Sequence, residues 1–235
     1  IEPVFSSDIP LSTRQYFRSR AYAVADRRVR VRLDEGFDAV VVVGESGAGR
    51  TTFLSALAAD LIARTPVIWF ARGPDTARDA LYCWREIESA AAGAGHVVAA
   101  IDDADQLAIE LLAVARDARL AGESCGIRAQ FVLTARPSTA CSIRGLGATL
   151  DEAVACCKLD GLDGDEVAPF MAQVLDGARS DRFTREAVAQ LSACAGGLPK
   201  RLVSITAKAC FVADLRGDTY VSAAAVEEAA FVLGF

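Results

Sequence analysis

The chain has 235 residues, 52% of them hydrophobic, with a formal net charge of −6 and seven cysteines beside a single histidine. That length fits one large domain or a core domain with a small satellite, and the apolar fraction supplies a sizeable core. The acidic balance argues against a whole-surface nucleic-acid binder, and no stretch approaches the ~20 continuous apolar residues of a membrane span.

No signal peptide is visible, and the first residue is Ile1, as in an excised domain or processed chain. Cys83, Cys125, Cys141, Cys156, Cys157, Cys194 and Cys210 are scattered without a C-x-x-C pair. Buried, reduced thiols in a cytosolic protein are therefore expected, rather than a structural zinc site or a secreted disulfide framework.

In chain order, arginines stand at 14, 18, 20, 27, 28, 30 and 32, with Tyr16, Phe17 and Tyr22 between them. The pattern predicts a helix that carries Phe17, Ala21 and Val24 inward and solvates its cations. The same Arg14–Arg32 cluster is the one stretch with the charge to contact DNA or acidic lipid. Next, Phe37 to Val43 is a β-branched run of buried-strand length. Gly44-Glu-Ser46-Gly47-Ala48-Gly49-Arg50-Thr51-Thr52 follows, which is the spacing of a phosphate-binding P-loop with arginine in the lysine position. Phe53, Leu54, Leu57, Leu61 and Ile62 then share one helical face. Strand, glycine loop and helix together let backbone N–H groups wrap phosphate oxygens at a helix N-terminus. The residues expected to hold ATP or ADP are Gly44, Ser46, Gly47, Ala48, Gly49, Arg50, Thr51 and Thr52, with the Thr51 hydroxyl on Mg²⁺.

Pro66 to Ala71 is a second strand. A helix from an Asp75 cap through Leu81, Trp84 and Ile87 ends at Gly93-Ala-Gly95. Val97 to Ile101 is a third strand, with His96 a surface residue at its start rather than a catalytic base. It runs into Asp102-Asp103, the form of a Walker B element, and is expected beside the P-loop strand. Asp102 is expected to hold Mg²⁺ through water, and Asp103 to orient the attacking water with a reach one methylene shorter than glutamate. Leu107, Leu111, Leu112 and Ala115 mark a helix ended near Ala121-Gly122, Ala129 to Thr134 a fourth strand, and Ala153 to Leu159 a fifth. Such alternation predicts a mainly parallel sheet covered on both faces. Beyond residue 160 only helices are predicted. One starts at a capping-box-like Asp163 and Glu166, one follows Thr184 and stops at Gly196-Gly197, one begins at Pro199, and one runs from Ser222 to Val232. The expected organisation is an N-terminal segment (1–36), an α/β nucleotide domain (37–159) and a small helical domain (160–235).

The P-loop, Ile101-Asp-Asp-Ala-Asp-Gln-Leu107, Phe131-Val-Leu-Thr-Ala-Arg-Pro137, Leu159-Asp-Gly-Leu-Asp-Gly-Asp-Glu166 and Gly196-Gly-Leu-Pro-Lys200 occur in the order seen in AAA+ ATPases. The chain most resembles the ExeA/GspA type of secretion ATPase, with the MuB/TniB transposition ATPases and the degenerate AAA domain of the cell-division protein DamX nearby. The resemblance implies a P-loop α/β domain and a helical lid, with Lys200 and the adjacent Arg201 beside the phosphates after a flexible Gly196-Gly197 approach. It also implies a protein partner and a homo-oligomer.

Several positions depart from the family pattern. Arg50 replaces lysine, Asp103 replaces glutamate, Ala135-Arg136-Pro137 alters the polar sensor, Glu152 stands where a finger arginine is usual, and Lys200 replaces the lid arginine. Arginine is a wider, planar fork that can still bind phosphate oxygens but is expected to bridge them less well in the transition state, and a lost finger can cost on the order of 10³ or more in rate. Arg50 and Asp103 are thus catalytic positions with impaired chemistry. The expected function is a nucleotide-dependent switch or scaffold with weak or absent hydrolysis. The alternatives are an active ATPase that assembles on DNA, for which the arginine cluster is the support, and a nucleotide-free structural module.

Overall fold

Five apolar runs become five parallel strands in the computed structural model, which describes residues 16–71, 77–92, 94–104, 111, 113–114, 117, 127–141, 153–174 and 180–235. Arg14, Asp75, Gly93, Leu107, Leu112, Ala115, Ala121, Gly122, Cys125 and Glu152 lie outside the described residues. The described elements divide into two compact units. One takes in Val24–Ser46 and Arg50–Leu159, and the other Phe17–Ala23, Gly47–Gly49 and Asp160–Phe235.

The first unit contains β1 (Ala39–Val43), α2 (Arg50–Leu61), β2 (Val67–Phe70), α3 (Ala77–Ala91), β3 (His96–Ile101), β4 (Arg128–Ala135) and β5 (Val154–Lys158), together with most of α1 (Arg20–Asp34). The strand order is β2-β3-β4-β1-β5. The expectation that the strand bearing Asp102 adjoins the P-loop strand is therefore corrected: β4 lies between them, pairing Val41 with Leu133 on one side and Ile101 with Leu133 on the other. Four of the five β1 residues are wholly buried. Each such valine contributes about 1.5–3 kcal/mol of burial, and only a strand covered on both faces tolerates so continuous an apolar run. One face carries α3, whose Ala80, Cys83, Trp84 and Ile87 pack with Val41, Ile68, Ala99 and Phe131.

The inward residues of α1 are Tyr22, Ala25, Val29 and Leu33. The predicted set of Phe17, Ala21 and Val24 is not the buried one: Phe17 precedes the helix and Val24 is 48% exposed. A polar strut holds the end of α1. The buried Gln130 amide nitrogen donates to Leu33 O (2.9 Å) and Phe37 O (2.8 Å). Its oxygen is then left to accept from His96 Nε2 at 2.8 Å. His96 is half-buried in the strand and serves this bond.

The second unit is helical: a 3₁₀ turn (Gly164–Glu166), α4 (Val167–Val174), α5 (Arg185–Ala195), α6 (Pro199–Arg216) and α7 (Ala223–Leu233). Its core joins Val167, Phe170, Leu191, Leu202, Ile205 and Val226. Thr184 caps α5 by accepting from Ala187 N (3.1 Å), as its sequence position predicts. Glu166 is only 7% exposed, and both its carboxylate oxygens accept backbone N–H groups, from Arg20 (2.7 Å) and Asp163 (3.0 Å). Two charge-assisted bonds are what a buried carboxylate requires. Phe17 stands edge-on to Phe170 with ring centroids 5.6 Å apart.

Of the Gly196-Gly197 pair, expected to be flexible, Gly197 is buried and closely packed, while Gly196 is exposed with open space around it. Both residues have positive φ (57° and 73°), Leu162 N donates to Gly197 O at 2.7 Å, and a Cβ on Gly197 would sit 2.4 Å from Leu162 O. Glycine here allows two backbones to touch in the left-handed region.

Candidate functional site

β1 delivers the chain to Gly44, whose N–H bonds Ala135 O at the end of β4 (3.2 Å), and α2 resumes at Arg50. Between them Gly47 and Gly49 adopt φ of 90° and 92°, which only glycine takes without strain. A side chain on Gly47 would also meet Lys200 Cβ at 2.9 Å, whereas Gly49 faces open space. Ser46, Thr51 and Thr52 are exposed, while Gly44 and Ala48 are buried. This is a loop whose backbone turns outward beneath a helix start.

Asp102 follows the last residue of β3 and is 7% exposed. Its Oδ2 accepts from the Thr51 hydroxyl at 2.6 Å, and its Oδ1 accepts from the Thr134 hydroxyl at 2.5 Å. The two residues expected to hold Mg²⁺ are thus brought together. Sequence alone does not mark Thr134, since a threonine in Phe-Val-Leu-Thr-Ala reads as a β-branched strand former. Its signal was a buried hydroxyl at the C-terminal end of a central strand. It also accepts from Asp103 N–H at 2.8 Å, so one side chain fixes both acids.

Asp103 has φ of +48° and is the only described non-glycine residue in the left-handed region, a conformation that costs about 1–3 kcal/mol and tends to collect at functional sites. Its Oδ1 accepts from Arg50 Nη2 at 3.0 Å; the Arg50 side chain is 11% exposed and that of Asp103 50%. Arg50 Nη1 is buried and has no hydrogen-bond partner. An unpaired guanidinium nitrogen costs free energy unless an acceptor reaches it, and an anionic oxygen would satisfy it. With the positive-φ glycines and the Thr51–Asp102 oxygens, the residues present fit a phosphate chain carrying a divalent cation.

In the helical unit, Lys200 N donates to Gly47 O at 3.2 Å. Arg201 directs its guanidinium over the Phe235 ring, 5.1 Å from the centroid. On α1, three of the five arginines are tied up in ion pairs. Arg20 meets Asp163 (3.3 Å) and Asp165, Arg30 meets Asp26 (2.9 Å) and Asp60 (3.1 Å), and Arg32 meets Glu35 (2.6 Å). The hydrogen bond from Arg20 holds the Asp165 carboxyl below its ordinary range. Arg27 and Arg28 are exposed.

No protein-family model and no curated protein sequence matches the chain. Solved structures do match. Thermotoga maritima RuvB, a Holliday junction branch migration motor, superposes with a TM-score of 0.59 at 16% identity, over 90% of this chain and 67% of that one. Cdc6p of Pyrobaculum aerophilum gives 0.61 at 12% identity, over 94% and 69%. Hsp104 with ATPγS and casein gives 0.58 at 15% identity, over 88% of this chain and 42% of that one. At such identities the likeness is one of architecture, and the strand order and glycine loop agree with it: the fold is that of the AAA+ P-loop ATPases.

Proposed function

We propose that the chain binds ATP or ADP with Mg²⁺ on the Gly44–Thr52 loop, turns it over slowly or not at all, and serves as a nucleotide-dependent switch or scaffold for a protein partner. The observation that carries this reading is the Arg50–Asp103 ion pair. The cation that should bridge phosphates is shared with the acid that should orient water, so each is diverted from hydrolysis. Thr51 and Asp102 supply two oxygens for Mg²⁺, which usually completes its shell with phosphate and water; when bound, the ion neutralises phosphate charge. Loop N–H groups and Arg50 Nη1 hold the phosphates.

Lys200, whose N–H already holds Gly47 O, gives residues 160–235 a route to register the state of the loop, with Arg201 as its neighbour. The ExeA/GspA resemblance supports a place on the cytoplasmic side of a secretion, envelope or cell-division assembly, and self-association of the kind AAA+ modules use. Calorimetry with Mg-ADP and Mg-ATP and a turnover assay on the same sample test the proposal. Thr51→Ala should weaken Mg-nucleotide binding by about tenfold or more, equivalent to ~1.4 kcal/mol. A turnover number near the ~10 s⁻¹ typical of enzymes would overturn the claim of impaired hydrolysis.

A second reading, an active ATPase that binds DNA as a transposition-type regulator, is favoured by exposed Arg27 and Arg28. It requires DNA binding that falls steeply with salt. Absence of retention on DNA at low salt removes it.

A further inference from the structure

We propose that Asp103 makes this loop select a nucleoside diphosphate over a nucleoside triphosphate, an inference that rests on the nucleotide reading above. The residue at the Arg50 position of a P-loop reaches the second and third phosphates. Here its two terminal nitrogens are not equivalent. Nη1 is buried without a partner, so an anionic oxygen that reaches it gains an unsatisfied donor, whereas Nη2 is committed to Asp103 Oδ1 at 3.0 Å. A diphosphate uses the loop N–H groups and the unpaired nitrogen and leaves the ion pair intact. A third phosphate raises the ligand's total charge by about one and moves its terminal group, of about two negative charges, one position further, where the guanidinium is already neutralised by a carboxylate.

Asp103 is poorly placed to step aside. Its N–H is held by Thr134 Oγ1, and that hydroxyl is itself bonded to the buried Asp102. The positive φ of Asp103 sets the direction of its Cα–Cβ bond, so its carboxylate can leave Arg50 only by rotating about χ1 and losing the ion pair. Arginine reinforces the arrangement, because a planar fork cannot redistribute its donors as the three rotatable donors of a lysine ammonium can. A triphosphate must therefore break the Arg50–Asp103 pair or bring its added charge to an already neutralised guanidinium, whereas a diphosphate leaves the pair intact.

The test is calorimetric titration of the chain with Mg-ADP and with a magnesium complex of a non-hydrolysable ATP analogue. The diphosphate should bind at least about tenfold more tightly, equivalent to ~1.4 kcal/mol. Asp103→Asn keeps the size and is tolerated at positive φ but removes the charge. It should bring the ratio within about threefold, mainly by tightening the triphosphate. Asp103→Gly, which also accepts this backbone conformation, should do the same and guards against a local effect of the amide, with circular dichroism checking that both variants fold. Equal or tighter triphosphate binding by the unaltered protein overturns the selectivity while leaving the nucleotide site standing. A diphosphate preference that survives both substitutions removes Asp103 as its cause. Failure to bind either nucleotide overturns the site and this inference together.

Discussion

Replacing Thr134 by valine should cost the α/β unit about 2.5–4 kcal/mol, because one hydroxyl holds both acids of the candidate site. The side chain is fully buried, donates to Asp102 Oδ1 at 2.5 Å and accepts from Asp103 N–H at 2.8 Å. Valine fills the same space, so packing is not the loss. The bond to the 7%-exposed Asp102 has a charged acceptor, for which about 1.5–3 kcal/mol is typical, and an abandoned N–H adds about 1 kcal/mol where water reaches it in part. Urea denaturation followed by tryptophan fluorescence reads this unit specifically. The chain's two tryptophans, Trp69 and Trp84, are 1% and 4% exposed and both lie within Arg50–Leu159. Thr134→Ser keeps the hydroxyl and should cost only the buried methyl, about 0.8 kcal/mol. A valine variant within 1 kcal/mol of the original, or a serine variant as weak as valine, would refute the reasoning.

Other substitutions test other parts of the fold. Gly197→Ala places a Cβ 2.4 Å from Leu162 O at a φ of 73° and should destabilise the helical unit by at least ~3 kcal/mol. Gly217→Ala, at the same φ but with open space around it, should cost only the ~1–2 kcal/mol of the left-handed conformation, and thermal unfolding followed at 222 nm separates the two. Thr184→Ala removes the cap to Ala187 N and should cost about 1 kcal/mol in the same assay. Burial, with a smaller contribution from Asp79, pushes the Cys83 thiol from 9.0 up to about 11. The folded state therefore keeps a proton that the unfolded chain releases, and stability should fall as pH rises from about 9 to 11. Cys83→Ala should flatten that part of the profile, and an unchanged slope would remove the assignment.

The loop at 44–52 was legible in the sequence because its requirements are local: glycines at fixed spacing, a strand before and a helix after. The same holds for Thr184 before α5 and for Pro199 at the start of α6. The strand order was not legible, since neighbours such as β1 and β4 are separated by the whole of α2 to β3 and no short-range pattern encodes the crossover. The inward face of α1 is not legible in the sequence because alanine and valine recur around that helix, and only burial distinguishes Ala25 and Val29 from Val24. Gly197 reads as slack because glycine is flexible in an open chain; what decides otherwise is Leu162, 35 residues earlier, which its backbone touches. Arg50 and Asp103 were each singled out as departures from a pattern, but their pairing spans 53 positions and appears only in three dimensions.

The two bonds to Glu166 set limits on how this protein can be cut. A fragment starting at Asp160 would retain α4 to α7 but lose the Arg20 N–H, leaving a buried carboxylate short of a donor, and would strip Phe17 from the face of Phe170. A cut placed by sequence alone therefore amputates a piece of the core it means to isolate. An autonomous helical fragment must be assembled discontinuously, with residues 17–23 spliced back onto 160–235 by a linker.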